Sequence, residues 1–176
     1  MSADAFRIRP LPADEVARRI PDLSAVLVDC VEGGASVSFM LPIAAERADG
    51  FWRAVAGGAA AGERLVLVAE DDAGIAGTVQ LVLAQPENQP HRADVAKMLV
   101  HRRARRQGIA QRLLAAVEEQ ARAHGKTVLV LDTVTGSAAE RLYARCGWQR
   151  VGQIPNYALM PDGALCSTTY FHKQLA

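Results

Sequence analysis

The sequence predicts a mixed α/β fold in one domain, and three stretches carry that prediction. Residues 95–119, VAKMLVHRRARRQGIAQRLLAAVEE, read as strand, basic turn and helix. Val95, Leu99 and Val100 are β-formers, whereas Ile109, Leu113 and Val117 recur at helical spacing. Upstream, residues 64–70 and 75–83 flank the turn at 71–74 as the two strands of a hairpin. Downstream, Val128-Leu129-Val130-Leu131 is continuously apolar, the pattern of a buried parallel strand.

At 176 residues the chain is long enough for a sizeable core, and 50% hydrophobic with 22% charged residues is ordinary for a soluble globular protein. A net charge of +1 leaves no global basic field of the kind that nucleic-acid binding needs. Positive charge is instead local, in the 102–106 turn, which favours a small anionic ligand over a long polyanion. Cys30, Cys146 and Cys166 are odd in number and widely spaced, so they form neither a zinc pattern nor a disulfide framework, and no metal is implied. MSADAFRIRPL lacks an apolar signal core and no stretch approaches membrane-spanning length, so a cytoplasmic protein with no membrane partner is expected.

Each element follows from local signals. Phe6 to Arg9 alternate as a first strand stopped by Pro10. Asp14 is placed to cap a helix through Arg19, with Glu15 favourable in its first turn. Pro21 interrupts, and a second helix runs from Asp22 to the Gly33-Gly34 pair with Leu23, Val26, Leu27 and Cys30 on one face. Residues 35–42 form a loop, and a helix over about 44–60 closes at Gly57-Gly58 and Gly62. The hairpin, a loop over 85–92 and the central strand come next. The central helix ends at His124-Gly125 and the apolar strand covers 127–133. Ser137 or Gly136 opens the next helix, with Glu140 completing a capping box after Ser137. Residues 148–159 and 168–174 pair antiparallel around Pro161-Asp162-Gly163.

The strand–turn–helix junction has specific physics. A helix's first turn leaves backbone N–H groups unpartnered at its electropositive end. A phosphate or pyrophosphate fits there when small residues let it approach, and Gly108 and Ala110 are small. The flanking arginines add charge-assisted donors. No Gly-Lys-Ser/Thr follows and only one glycine is present, which excludes a Walker loop and a dinucleotide fingerprint. The plain alternative is a solvated basic turn.

Arg105-x-x-Gly108-x-Ala110 after an apolar strand resembles the acyl-CoA pyrophosphate signature of the GNAT acetyltransferase superfamily. Leu131-Asp132-Thr133 and the run Glu140 to Trp148 look like that fold's next strand and helix, and the likeness extends over about 64–173. The resemblance implies a mixed, mostly antiparallel sheet of about seven strands with a splayed parallel pair, flanked by helices. It also implies acetyl-CoA as co-substrate, and direct, sequential transfer of the acetyl group to an amine or a hydroxyl of a small-molecule acceptor. Many relatives have Pro where Arg102 stands, so the turn departs from the usual one.

By that resemblance, backbone amides of Gln107, Gly108, Ile109 and Ala110 take the pyrophosphate, with Arg102 and Arg105 favoured over Arg103 and Arg106 as charge partners. Leu99 and Val100 stand where relatives polarise the thioester carbonyl through a backbone N–H freed by the splay. Tyr143 occupies the general-acid position, and a phenol is protonated at neutral pH. Its plain alternative is packing against Leu142 and Trp148. Asp132, ending the apolar strand, and Asp94, entering the central one, are candidate bases, alone or through a shared water, and burial could raise the pKa of the former. A strand-end cap and a surface acid are their plain alternatives. His91 is the third candidate, though a lone loop histidine is usually solvated. Val37, Phe39, Phe51 and Trp52 lie in the region that walls the acceptor pocket in the superfamily, and core packing is the favoured reading of them.

Within the superfamily, the run Pro90 to Met98, Leu131-Asp132-Thr133, Gly152-x-x-Pro155-x-Tyr157 and Pro161-Asp162-Gly163 look like the tabtoxin-resistance acetyltransferases. That likeness implies a small polar acceptor near an Asp94/Asp132 pair, with Tyr157 touching it. A non-catalytic acyl-CoA sensor or interaction module on the same fold is the alternative. A nucleotide or nucleic-acid binder fits least, and the edge strands leave a homodimer open.

Overall fold

The organising feature is a strand that parts from its neighbour halfway along its length. In the computed structural model, which describes residues 6–175, the elements run β1 (Arg7–Leu11), α1 (Ala13–Arg18), α2 (Ile20–Glu32), α3 (Ala45–Ala60), β2 (Arg64–Asp71), β3 (Gly74–Val82), β4 (Arg92–Val100), a 3₁₀ turn (Arg102–Ala104), α4 (Ile109–Ala123), β5 (Val128–Val134), α5 (Ala138–Arg145), β6 (Gln149–Leu159) and β7 (Leu165–Gln174). One seven-stranded sheet has the order β1-β2-β3-β4-β5-β7-β6. All neighbours are antiparallel except β4 and β5. That parallel pairing lasts only from Arg92↔Val128 to Asp94↔Val130.

A bulge explains the parting. The β3–β4 register shifts between Thr78 and Gln80, and Lys97 of β4 takes φ +51°, a left-handed conformation unusual for a side-chain-bearing residue. The extra residue bends β4, so the segment from Val95 onward has β3 on one side and no strand on the other.

Two helical layers cover the sheet. α4 sends Ile109, Leu113, Leu114 and Val117 onto one face, where they join Leu129, Leu131, Tyr143, Trp148 and Phe171. Helices α1 to α3 pack Val16, Leu23, Leu27 and Trp52 on the other face, against Val66, Val68 and Leu99. No β5 residue belongs to that second layer. This corrects the apolar-run reading of β5: Leu129 and Leu131 are buried, Val128 and Val130 half-buried, and Asp132 exposed. One face of β5 is left partly open because the second layer stops short of it.

Other local expectations also shift. Pro10 lies inside β1, which tolerates it as an edge strand. Asp14 does not cap α1: Pro12 is the capping position, and Asp14 pairs instead with Arg18. Pro21 sits in the first turn of α2, where its missing N–H costs nothing, so the helix begins at Ile20. Gly57 and Gly58 lie within α3. Ser137 accepts from Glu140 N at 3.1 Å, and the Glu140 carboxylate returns to Gly136 N, so the capping box forms with its return bond one residue early. At the β1 edge, Arg9, Arg7 and Arg19 surround Glu70, holding its carboxyl down to about 2, chiefly through Arg9. Among the described residues, no helix is long and apolar enough to cross a membrane.

Candidate functional site

The parting of β4 and β5 opens a cavity of about 600 Å³. Its walls are Val95, Ala96, Lys97 and Met98 of β4 and Asp132, Thr133 and Val134 of β5. Tyr143 of α5 enters from one helical layer, and Thr168 and Tyr157 come from the β6–β7 pair. The loop between α2 and α3 roofs it with Val37, Ser38, Phe39 and Met40. Two hydrogen bonds tie that roof to the β6–β7 hairpin: Ser36 Oγ donates to Leu159 O at 2.7 Å, and Leu41 N to Pro161 O at 3.0 Å.

At the end of β4, His101 N donates to Ala76 O of β3 at 2.8 Å, whereas Val100 O accepts from Arg105 Nε at 3.1 Å and from Cys30 Sγ at 3.5 Å. Successive residues of a strand turn their backbone groups to opposite sides. Of the two amides named from sequence, Val100's therefore faces away from β3, towards the parting. Leu99 turns to β3, its carbonyl lying where a Cβ on Gly77 would come within 3.1 Å.

The basic turn sorts its arginines sharply. Arg102 donates through its backbone N–H to Asp29 Oδ2 at 2.8 Å, and its guanidinium also binds Asp29. Arg103 grips Asp71 with two bonds, 2.7 and 2.9 Å, and reaches Gly74 O at 3.0 Å. Arg105 is spent on Val100 O. Arg106 is exposed and forms no ion pair among the described residues. Arg102 is thus a brace to α2, and Arg106 rather than Arg102 is the guanidinium left open at the turn.

Gly108 caps α4 in the left-handed region at φ +75°, with no side chain satisfying the first turn. The first helical bond is Arg112 N to Gly108 O at 3.1 Å, so the amides of Ile109 and Ala110 precede the helical ladder. Ile109's side chain is buried, and Gln107 is half-buried with its Oε1 lacking a partner. Such a terminus matches a pyrophosphate in charge and donor direction.

Tyr143 is only 5% exposed, packed 6.0 Å from both Trp148 and Phe171 between ring centroids. Its ring therefore has the packing role and its side chain also lines the cavity. Burial first, and then the charge of Asp132, push the phenol's pKa above its ordinary value, so it is a held proton at neutral pH. Asp132 is exposed to the cavity, not buried as expected of it, and its Oδ2 accepts from Thr168 Oγ1 at 2.9 Å.

The remaining residues named from sequence separate. Phe39 and Tyr157 line the cavity, and Tyr157 shares a 2.8 Å hydroxyl bond with Tyr170, the β7 partner of Asp132. That bond, then burial, push Tyr170 up to about 12. Trp52 is fully buried in the α3 core and does not line the cavity. Asp94 lies in the still-paired part of β4, outside the cavity lining, held by Arg92 and by Gln85 Nε2 at 3.1 Å. Two residues of strand, about 7 Å, separate its register position from that of Asp132. His91 is exposed near that same end, where its carbonyl accepts from Thr127 N at 2.8 Å. Neither is brought to the cavity.

Sequence reasoning missed Lys97 and Tyr170. The single charge in the apolar run 95–100, VAKMLV, was the available signal for Lys97, whereas only the β5–β7 register reveals Tyr170. Lys97 sits half-buried on the cavity wall, its Nζ 3.4 Å from Ser38 Oγ. Burial pulls its ammonium's pKa down against the opposing pull of Asp132.

Comparison with known proteins bears on the family and the fold. A family model described as the Acetyltransferase (GNAT) family matches residues 39–148. An uncharacterised N-acetyltransferase from the hisH–hisA intergenic region of Azospirillum brasilense is 38% identical over 113 residues, 63% of this chain and 66% of that protein, just under two thirds of its length. Among solved structures, yncA of Salmonella typhimurium, determined with its cofactor acetyl-CoA, superposes with a TM-score of 0.78 at 20% identity, covering 98% of this chain and 95% of that one. The ribosomal-protein-alanine N-acetyltransferase of Brucella melitensis gives a TM-score of 0.80 at 24% identity, covering 96% and 99%. At these identities the structural likeness is one of fold.

Proposed function

The chain belongs to the GNAT acetyltransferase family, and on that footing we propose that it transfers the acetyl group of acetyl-CoA directly to an amine of a small-molecule acceptor. The observation that carries this reading is the meeting of Tyr143 and Asp132 in one cavity at the parting of β4 and β5. The free amides at the start of α4, the left-handed Gly108 and the open Arg106 fit the pyrophosphate of acetyl-CoA, which supplies an activated thioester.

Each residue then has a task. The amides of Ile109 and Ala110 hold the diphosphate, and Val100 N–H donates to the carbonyl oxygen as negative charge grows there. Asp132 takes the proton that the acceptor's ammonium must lose before its nitrogen can attack. Tyr143 delivers its proton to the departing sulfur. Its raised pKa keeps the phenol protonated until the thiolate leaves. Thr168 steadies the carboxylate of Asp132 through the 2.9 Å bond. Asp94 is left an indirect part, since its charge, like that of Asp132, acts on Tyr170.

A cavity of this size suits a small acceptor, in keeping with the likeness to tabtoxin-resistance acetyltransferases. We place the activity in the cytoplasm. A second copy, where one forms, would pair along the edge strand β6, which exposes Val151 and Ile154.

The test is release of CoA thiol from acetyl-CoA across a panel of small amines and hydroxy-amino acids. Turnover is expected with one acceptor class, with kcat reduced roughly 100- to 1,000-fold in Tyr143→Phe and in Asp132→Asn. Saturable acetyl-CoA binding without turnover of any acceptor would favour a sensor, and absence of acetyl-CoA binding would sink the reading.

A further inference from the structure

A second recess, about 540 Å³, adjoins the main cavity and is lined by Ser38, Phe39, Arg47, Gly50, Phe51 and Lys97. Ser38, Phe39 and Lys97 line both, so Lys97 stands where the two meet. Its ammonium lies 5.8 Å from the Phe51 ring centroid, and the Arg47 guanidinium lies 5.8 Å from that of Phe39. The two rings pack edge-on at 5.4 Å, forming one aromatic wall with a cation at each ring.

These cations differ from the paired ones that brace the fold. Arg9, Arg19, Arg92, Arg102, Arg103 and Lys173 all have carboxylate partners within 4.0 Å, but neither Lys97 nor Arg47 does among the described residues. Burial disfavours the charge of the Lys97 ammonium, Asp132 across the cavity favours it, and Arg64, which likewise forms no ion pair among the described residues, adds positive potential. A half-buried ammonium with no carboxylate in contact, only the more distant Asp132, is a cost that an anionic visitor relieves. CoA's diphosphate is not that visitor, because Lys97 faces α3 while α4 packs on the opposite face of the sheet. On the β5 wall of the same main cavity stands Asp132, an acid suited to an amine.

We propose that the acceptor is a small amino-acid-like zwitterion, its carboxylate or equivalent oxyanion held by Lys97 where the two cavities meet and its amine in the main cavity beside Asp132. This rests on the acetyl-transfer reading and narrows its substrate class. Arg47 adds long-range attraction, Ser38 Oγ is placed to share the oxyanion, and Phe39 and Phe51 pack the carbon frame.

Lysine labelled with ¹³C at Cε tests the anion site independently of turnover. The chain has only Lys97, Lys126 and Lys173, and Lys97→Arg assigns the signal by removing it. The twenty common L-amino acids, each beside its own carboxamide, are titrated into the CoA-bound protein, and both series are assayed for thiol release. Carboxylates are expected to move the Lys97 signal and the carboxamides not. The kcat/KM for a carboxylate acceptor should exceed that of its carboxamide roughly 10- to 100-fold, a preference that Lys97→Met abolishes through KM. If the Lys97 signal stays still, or moves equally with the carboxamides, the proposal is overturned. Turnover of carboxamides in that case would leave acetyl transfer standing alone. A carboxylate-specific shift without thiol release would support the anion site while counting against acetyl transfer.

Discussion

Two cationic regions flank the working end of β4, and the fold treats them oppositely. In the 101–106 turn, the guanidiniums of Arg102 and Arg103 are consumed by Asp29 and Asp71, so most of the visible charge braces the loop to α2 and to the β2–β3 hairpin. On the walls of the cavity and its adjoining recess, Lys97 and Arg47 stand without carboxylate partners within 4.0 Å among the described residues. The turn looks like the ligand site when charges are counted along the chain. Counted by unspent charge, the balance moves to Arg106 and to the cavity. A cation is available to a ligand only to the extent that the fold has not already neutralised it.

The largest expected break in this contrast is Asp29→Ala. Asp29 is 8% exposed and receives the Arg102 backbone N–H as well as its guanidinium, with His101 Nε2 at 3.5 Å. Its loss strands the backbone N–H, while the guanidinium, more than half exposed, is rehydrated, at a cost of about 2 kcal/mol, or a drop in Tm of roughly 4–8 °C. Arg102→Ala should cost less, because its backbone N–H still reaches Asp29. Equal Tm losses in the two variants would contradict the bracing role of that amide.

A second pair of variants separates bracing from binding within the turn. Arg103→Ala loses the two-pronged contact with Asp71 and is expected to lower Tm by about 3 °C while acetyl-CoA affinity holds. Arg106→Ala is expected to do the reverse, weakening acetyl-CoA roughly fivefold, or about 1 kcal/mol, at unchanged Tm. Calorimetric titration and thermal melts on both proteins measure the crossover. Matching behaviour in the two would mean that the turn acts as one undivided patch.

Much of the fold was legible because local periodicity dictates it. The β2–β3 hairpin, β4, α4 and the Ser137 cap of α5 each depend on residues within one turn or one pairing. The misreadings have a common cause. β5 looked buried on both faces since its apolar run is continuous, yet coverage depends on where the α1–α3 layer ends, which is a tertiary fact. Trp52 and Phe39 both join the core beneath the α1–α3 layer, as favoured from sequence, and only the path of the α2–α3 loop also brings Phe39 to the cavity wall. Asp94 and Asp132 looked like a pair from their strand ends. The parting begins between their register positions, so one acid stays in the paired sheet and the other enters the cavity. The charge of Lys97 was visible, but the bulge that places it was not.

An effect of similar, modest size concerns the joint between turn and helix. Gly108 has φ +75°, and a Cβ there would meet nothing within 4 Å, so Gly108→Ala tests backbone strain free of steric conflict. Holding alanine in the left-handed region costs about 1 kcal/mol, which would lower Tm by roughly 2–4 °C. The helix is expected to relieve part of that strain by rotating its first peptide groups, and those groups carry the amides of Ile109 and Ala110. Acetyl-CoA affinity should therefore fall together with Tm, unlike either arginine variant. An acetyl-CoA affinity unchanged in Gly108→Ala would mean that the diphosphate is held by charge alone and that the left-handed joint serves only the path of the chain.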